Sequence, residues 1–286
     1  MSRIGLALGG GGVRGLSHIL VLELLDELNL RPSVIAGTSI GAIVGALYAS
    51  GMTGSEIRGL VRKYFLPDAD HPVRSVIKKR VELLKWVGPS ISELGRGGLL
   101  KPDRFLRHLL EGVRPTHFEE LEIPLIVIAA DFWSDEEVVF ERGDLLPALR
   151  ASIAIPGLFA PVCLGNRVLV DGGLINQLPF DHLEGRCDLV IAVDVSRSKM
   201  PGRRDLPNAL DAILGAFNVM QRAALDQKLK TRRPDIMVRP RFEEVEILDF
   251  GHVEQVFREA QSAIEDLRSR IADLGHDTDR SSPHRQ

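Results

Sequence analysis

Two cysteines among 286 residues, Cys163 and Cys187, are too few for a disulfide framework, and no metal-ligand spacing surrounds them. Both are expected to be buried thiols. An excess of one charge is also lacking. The 36 basic and 39 acidic side chains leave a net charge of -3, which gives no basic footprint for nucleic acid. No internal repeat or long low-complexity linker divides the chain. At 44% apolar it reads as one α/β domain over 1–274, long enough to bury a large core. The end, 275–286, is rich in Ser, Asp, His and Arg and is expected to be disordered. The first apolar strand pattern begins at Arg3 or Ile4, which leaves no room for a signal peptide before it. The expected location is cytoplasmic.

Charge is missing altogether from one stretch. From Pro32 to Ser55, 24 positions carry no charged side chain, and Gly37, Gly41, Gly45 and Ala49 recur at every fourth residue, as in membrane helices that pack through small residues. Pro32-Ser33 and Gly37-Thr38-Ser39 interrupt the run, however. The continuous helix left between Ile40 and Ser50 is too short for a hydrocarbon layer about 30 Å thick. Its small residues suit a helix that lies tightly on a sheet. Contact with a membrane surface has a different carrier. Val73, Val76, Ile77, Val81, Leu84 and Val87 share one helical face beside Trp86, while Arg74, Lys78, Lys79, Arg80 and Lys85 outnumber Glu82. Within 65–100 this segment is either a cap over the site or a helix resting on anionic lipid, peripheral to the inner membrane surface.

What is present points to acyl chemistry. Gly37-Thr38-Ser39-Ile40-Gly41 follows the apolar run Ser33 to Ala36 and has the form of a nucleophile elbow. A strand turning sharply into a helix strains the central residue, and glycine on either side lets the two elements approach while the hydroxyl stays available. Ser39 is the candidate nucleophile. Upstream, Ile4 to Leu8 reads as a buried strand, Gly9 to Gly12 are four consecutive glycines, and Leu16, Ile19, Leu20, Leu24 and Leu28 have helical spacing. Strand, glycine loop and helix start together form an anion site. Gly10-Gly11-Gly12-Val13-Arg14-Gly15 also satisfies G-x-G-x-x-G, but dinucleotide binding expects an acid after the second strand, and none occurs from Arg31 to Ser55. The amides of Gly10, Gly11 and Gly12 are therefore expected to form an oxyanion hole. Arg14 either holds that loop by hydrogen bonds or faces solvent.

A carboxylate completes the set. Arg167 to Val170 reads as a strand that ends in Asp171-Gly172-Gly173, at the end where open α/β sheets build their sites. Of the eight histidines, His182 and His252 follow Asp171 and would complete the Ser, Asp, His order of an α/β-hydrolase. Two features oppose that: Ser39 follows only the second strand, and such enzymes do not normally place their oxyanion glycines at the extreme N-terminus. The histidines are expected to be surface or supporting groups, with a desolvated Asp171 as the base.

In this order the pieces resemble the patatin-like phospholipases, specifically the small bacterial branch related to the catalytic domain of neuropathy target esterase. The likeness covers roughly residues 3–250 and includes two further runs, Ala151 to Pro161 and Asn176-Gln177-Leu178-Pro179. It implies a three-layer α/β fold, with a mainly parallel central sheet between helices and the elbow after the second strand. It also implies a Ser39–Asp171 dyad cleaving lipid acyl esters, with Gly15, Gly37, Gly41, Gly172 and Gly173 supporting the motifs and no metal or cofactor. A regulatory member that only binds lipid, or an esterase of small soluble esters, would carry the same motifs. Elsewhere, Pro124 to Ala130, Leu189 to Val195 and Ile236 to Val238 read as strands, and Ala209 to Lys228 and Val253 to Leu274 as helices.

Overall fold

The structure is a computed structural model and describes residues 3–65, 106, 110, 115–196, 206, 209–243, 245 and 250–280. The amphipathic segment 73–87, with Trp86 and its basic side chains, lies outside the described residues, as do 281–286.

Five strands run parallel through the centre of one sheet. In spatial order they are β3 (Leu125–Asp131), β2 (Val34–Thr38), β1 (Ile4–Leu8), β7 (Leu189–Val193) and β8 (Ile236–Val238). Three antiparallel strands cluster at the β3 end: β4 (Glu136–Phe140), β5 (Val162–Leu164) and β6 (Arg167–Asp171). The expectation of a mainly parallel sheet between helices holds. β4 and β5 were not foreseen, because they are short and lie at an edge where an uninterrupted apolar run is not required.

Alternation along the central strands sorts their side chains into two cores. Leu6, Leu8, Ile35, Leu125, Val127, Ile191 and Val193 face one layer of helices. That layer includes α1 (His18–Glu27), α2 (Ile40–Ala49), α3 (Gly54–Phe65) and α6 (Val253–Arg280), with Leu145, Ala148 and Leu149 packed beside them. Ala7, Val34, Ala36, Ile126, Ile128 and Ala192 face the other side, against Leu178, Phe180 and Leu183 and against Leu225 of α5 (Ala209–Thr231). The register aligns Ala36, Ala7 and Ala192 across three adjacent strands. A row of methyl groups there lets the 176–183 loop approach the sheet closely.

Several boundaries differ from the sequence reading. The helix expected from Leu16 begins as a 3₁₀ turn, Gly12–Ser17, and becomes α-helical only at His18. A side chain at Gly15 would strike Ile40 Cγ2, so the tight turn and the glycine together let the two helix starts pass. The last helix runs on to Arg280, beyond the Leu274 limit expected for it. The cysteines are not both buried: Cys163 is exposed and Cys187 half-buried. β5 is an edge strand that buries Val162, and alternation turns Cys163 outward.

Candidate active site

Ser39 stands between β2 and α2 with φ 56° and ψ -124°, in a region that side chains other than glycine rarely occupy. The flanking glycines make the bend sterically feasible. A Cβ on Gly37 would lie 2.6 Å from Ala42 Cα, and one on Gly41 would overlap the Leu8 carbonyl. The strained backbone is held from outside: the Ser39 N–H donates to Ser152 Oγ at 2.8 Å, and Ser152 is wholly buried at the end of α4 (Leu145–Ser152).

The register of β3 brings Asp171 to Ser39. β4 runs along one flank of β3 from Val127 to Asp131, so β2 and β6 must share the other flank. Thr38 pairs with Ile128 and Asp171 with the next residue, Ala129. The two strands therefore meet end to end. The sequence placed a carboxylate at the C-terminal end of a strand, and Asp171 does end β6, which is antiparallel and arrives from the opposite direction.

There the Ser39 hydroxyl donates to Asp171 Oδ2 at 2.7 Å, and the Gly173 N–H donates to Asp171 Oδ1, also at 2.7 Å. The Asp171 N–H is held by the Ala154 carbonyl at 3.0 Å. The carboxyl is 1% exposed. Burial pushes it well above the usual carboxylate range, to about 7, against the opposing effect of its bonds to Ser39 and Gly173. Gly172 lies over the Ile128 carbonyl, where a side chain would collide.

The glycine loop closes over Ser39. A Cβ on Gly10 would lie 3.2 Å from Ser39 Cβ. The Gly9 N–H donates to the Val193 carbonyl (3.0 Å) and the Gly10 N–H to the Gln177 carbonyl (3.1 Å). Gln177 Nε2 in turn donates to the Gly10 carbonyl. Of the three amides expected to form an anion site, Gly10's is thus engaged. Those of Gly11 and Gly12 lie at the start of the 3₁₀ turn, where helical N–H groups have no partner within the helix. Arg14 is 1% exposed and holds the loop: Nε donates to the Gly11 carbonyl and Nη2 to Asn218 Oδ1, both at 3.3 Å. His18 Nε2 lies 2.8 Å from the Gly9 carbonyl, and burial lowers its pKa to about 4, so the ring is neutral and donates that bond.

Among the described residues no histidine is bonded to Ser39 or Asp171. His182 Nε2 lies 2.9 Å from Glu137 Oε1, in a half-buried cluster behind the site. Asn176 Nδ2 donates to the same Glu137 oxygen at 2.8 Å, while Asn176 Oδ1 and the Leu178 carbonyl accept from Lys228 Nζ, which also pairs with Asp181. The Asn176 carbonyl accepts from Thr38 Oγ1 at 2.8 Å, joining the cluster to the end of β2. Also among the described residues, no group of His, Cys, Asp and Glu is arranged to hold a metal, and no helix is long and apolar enough to cross a membrane.

Sequence reasoning missed Ser152, Gln177, Asn218 and Lys228 as parts of this assembly. Ser152 and Gln177 lie in runs that carried the family resemblance, the one signal that could have singled them out. Asn218 and Lys228 have only helical spacing to mark them.

A sequence model of the patatin-like phospholipase family matches residues 6–183. An uncharacterized NTE family protein of Mycobacterium tuberculosis is 37% identical over 204 residues, covering 71% of this chain and 52% of that protein. Lysophospholipase NTE1 of Saccharomyces cerevisiae is 27% identical over 278 residues, covering 89% of this chain and 16% of its own length. The chain thus spans about half or less of these curated relatives. Among solved structures, VipD of Legionella pneumophila superimposes with a TM-score of 0.50 at 15% identity, over 93% of this chain and 67% of that one, a likeness of fold.

Proposed function

From the family to which this chain belongs, the patatin-like phospholipases, we propose that it is a serine hydrolase of lipid acyl esters, acting on lysophospholipids or phospholipids through an acyl-enzyme at Ser39. The observation that carries this reading is the 2.7 Å hydrogen bond from the Ser39 hydroxyl to a buried carboxylate whose pKa is about 7. A carboxylate in water is too weak a base to assist serine. Burial makes Asp171 a stronger one and leaves it largely ionised at slightly alkaline pH.

In the proposed reaction Ser39 Oγ attacks the ester carbonyl carbon as its proton passes to Asp171 Oδ2. The carbonyl oxygen becomes an oxyanion facing the N–H groups of Gly11 and Gly12, with the helix start behind them. Collapse breaks the bond to the alcohol oxygen, which takes the proton back from Asp171 and leaves. Water then repeats the sequence on the acyl-enzyme and releases the fatty acid. Arg14 and His18 hold the glycine loop, and Ser152 holds the elbow, so the donors are fixed before charge develops. This chemistry calls on no metal or cofactor.

A fluorophosphonate probe, which reacts with an activated serine, should label the wild type and not Ser39→Ala. Ester turnover in Ser39→Ala should fall on the order of a millionfold. Labelling that persisted in the variant would move the nucleophile elsewhere, and an unlabelled, inactive wild type would leave a protein that only binds lipid.

A further inference from the structure

Helix α5 crosses the site with one stripe of inward side chains: Leu214, Asn218, Gln221, Leu225 and Lys228. Three of the last four are accounted for. Asn218 accepts from Arg14 and donates to the Leu214 carbonyl at 2.7 Å. Leu225 packs with Leu178 and Phe180, and Lys228 is bound by Asn176, Leu178 and Asp181. Gln221 differs. It is 6% exposed, yet among the described residues its amide makes no hydrogen bond. Its amide is not sealed from solvent, so its hydrogen-bonding capacity is open to water or to a bound molecule.

Its position shows what that is. A Cβ built on Gly173 would collide with Gln221 Nε2 and would lie 2.7 Å from Gln177 Oε1 and 2.9 Å from Asp171 Oδ1. The Gln221 amide therefore fills the space that Gly173 leaves open, beside the Asp171 oxygen that does not hold Ser39. In the reaction proposed above, Asp171 returns its proton to the departing alcohol, so the group beside Asp171 meets the alcohol half of the ester. The acyl oxygen faces Gly11 and Gly12 instead.

Resting on that reaction, we propose that Gln221 is a binding residue for the leaving alcohol, its amide hydrogen-bonding a hydroxylated alcohol of the glycerol type. An amide both donates and accepts, which suits an alcohol bearing a free hydroxyl next to the ester oxygen. A site built to bond a substrate hydroxyl favours an alcohol that bears one, because an alcohol without it displaces water from the amide and returns no hydrogen bond.

The test compares two substrates in one variant. Gln221→Met keeps the side-chain length and removes the amide. It should lower kcat/KM for lysophosphatidylcholine about tenfold, the worth of one hydrogen bond. For p-nitrophenyl butyrate, whose leaving group has no hydroxyl beside the ester oxygen, kcat/KM should stay within about twofold, and the fluorophosphonate labelling rate of Ser39 should be unchanged. Glycerophosphocholine, the alcohol product, should inhibit butyrate hydrolysis by the wild type about tenfold more strongly than by the variant. Equal losses on both substrates would make Gln221 a packing residue, and no loss on either would remove it from the site; each overturns the proposal. A wild type that hydrolyses neither ester and is not labelled would overturn the serine-hydrolase reading itself, and this assignment with it.

Discussion

The backbone N–H of Ser39 donates to the hydroxyl of Ser152, 2.8 Å away and fully buried, across 113 residues of sequence. This bond stabilises a positive-φ backbone that β2 and α2 alone would not favour. Ser152→Ala leaves that N–H buried without an acceptor, at a cost of about 1–3 kcal/mol. The variant should fold with a lowered melting temperature. Turnover of a soluble ester should drop more than tenfold while the KM changes little, since a misplaced hydroxyl impairs attack rather than binding. Unchanged kcat at full occupancy would detach Ser152 from the elbow.

The proposed role of Asp171 carries a pH dependence. As the proposed base it must be ionised, so kcat/KM for a soluble ester should rise with pH up to about 7 and then level off. A histidine base would give a similar profile, but organic co-solvent separates the two. It disfavours the charged form, raising the apparent pKa of a carboxylic acid and lowering that of an imidazolium. The expected shift is upward. Activity should vanish in Asp171→Asn and persist in His182→Ala and His252→Ala.

The same burial bears on stability. The folded pKa, about 7, lies above the ordinary value of 3.8, so between these limits the folded chain holds a proton that the unfolded chain has released. The contribution of Asp171 to stability is accordingly greatest in acid and declines as pH rises from about 4 to about 7. Asparagine carries no such penalty, and the Ser39 hydroxyl can rotate to accept from its NH2. The melting temperature of Asp171→Asn relative to the wild type should therefore rise between pH 4 and pH 8. A constant difference across that range would mean that the carboxyl is ionised throughout.

Lys228 is the half-buried pin of the polar cluster behind β2, donating to Asn176 Oδ1 at 2.8 Å and to the Leu178 carbonyl at 2.9 Å. Removing one partner of such a cluster leaves Asp181 uncompensated. Lys228→Met should destabilise the fold by about 2–4 kcal/mol, and adding Asp181→Asn should recover part of the loss. Strict additivity of the two changes in denaturant unfolding would mean that the pair is not coupled.

The basic segment 73–87 carries a prediction from its sequence. If it contacts anionic lipid, the protein should bind phosphatidylserine vesicles at low salt and release them as salt is raised, and Trp86 fluorescence should shift to the blue on binding. Replacing Lys78, Lys79 and Arg80 with Gln should weaken vesicle binding and vesicle-lipid hydrolysis but not turnover of a soluble ester. Equal loss on both substrates would assign the segment to the pocket.

Local chemistry was legible in the residues themselves. A serine between glycines after an apolar run marks a strand turning sharply into a helix, because the steric demand at Gly37 and Gly41 acts within a few residues. Four glycines before a helical pattern, and Asp-Gly-Gly after a strand, are equally local. The parallel core was legible too, since strands buried on both faces must be continuously apolar. Other features depend on how distant segments meet. The 2.7 Å contact of Ser39 with Asp171 follows from the register of β3 with two strands of opposite direction. The meeting of distant segments also decides the desolvation of Asp171, the use of Gly10's amide by Gln177 and the bond of Ser152 to Ser39, and among the described residues it leaves the Gln221 amide without a partner. Even the exposure of Cys163 depends on which face of an edge strand it occupies. Short-range backbone sterics are written in neighbouring residues, whereas burial and hydrogen-bond pairing belong to segments more than a hundred residues apart, brought together only when the sheet closes.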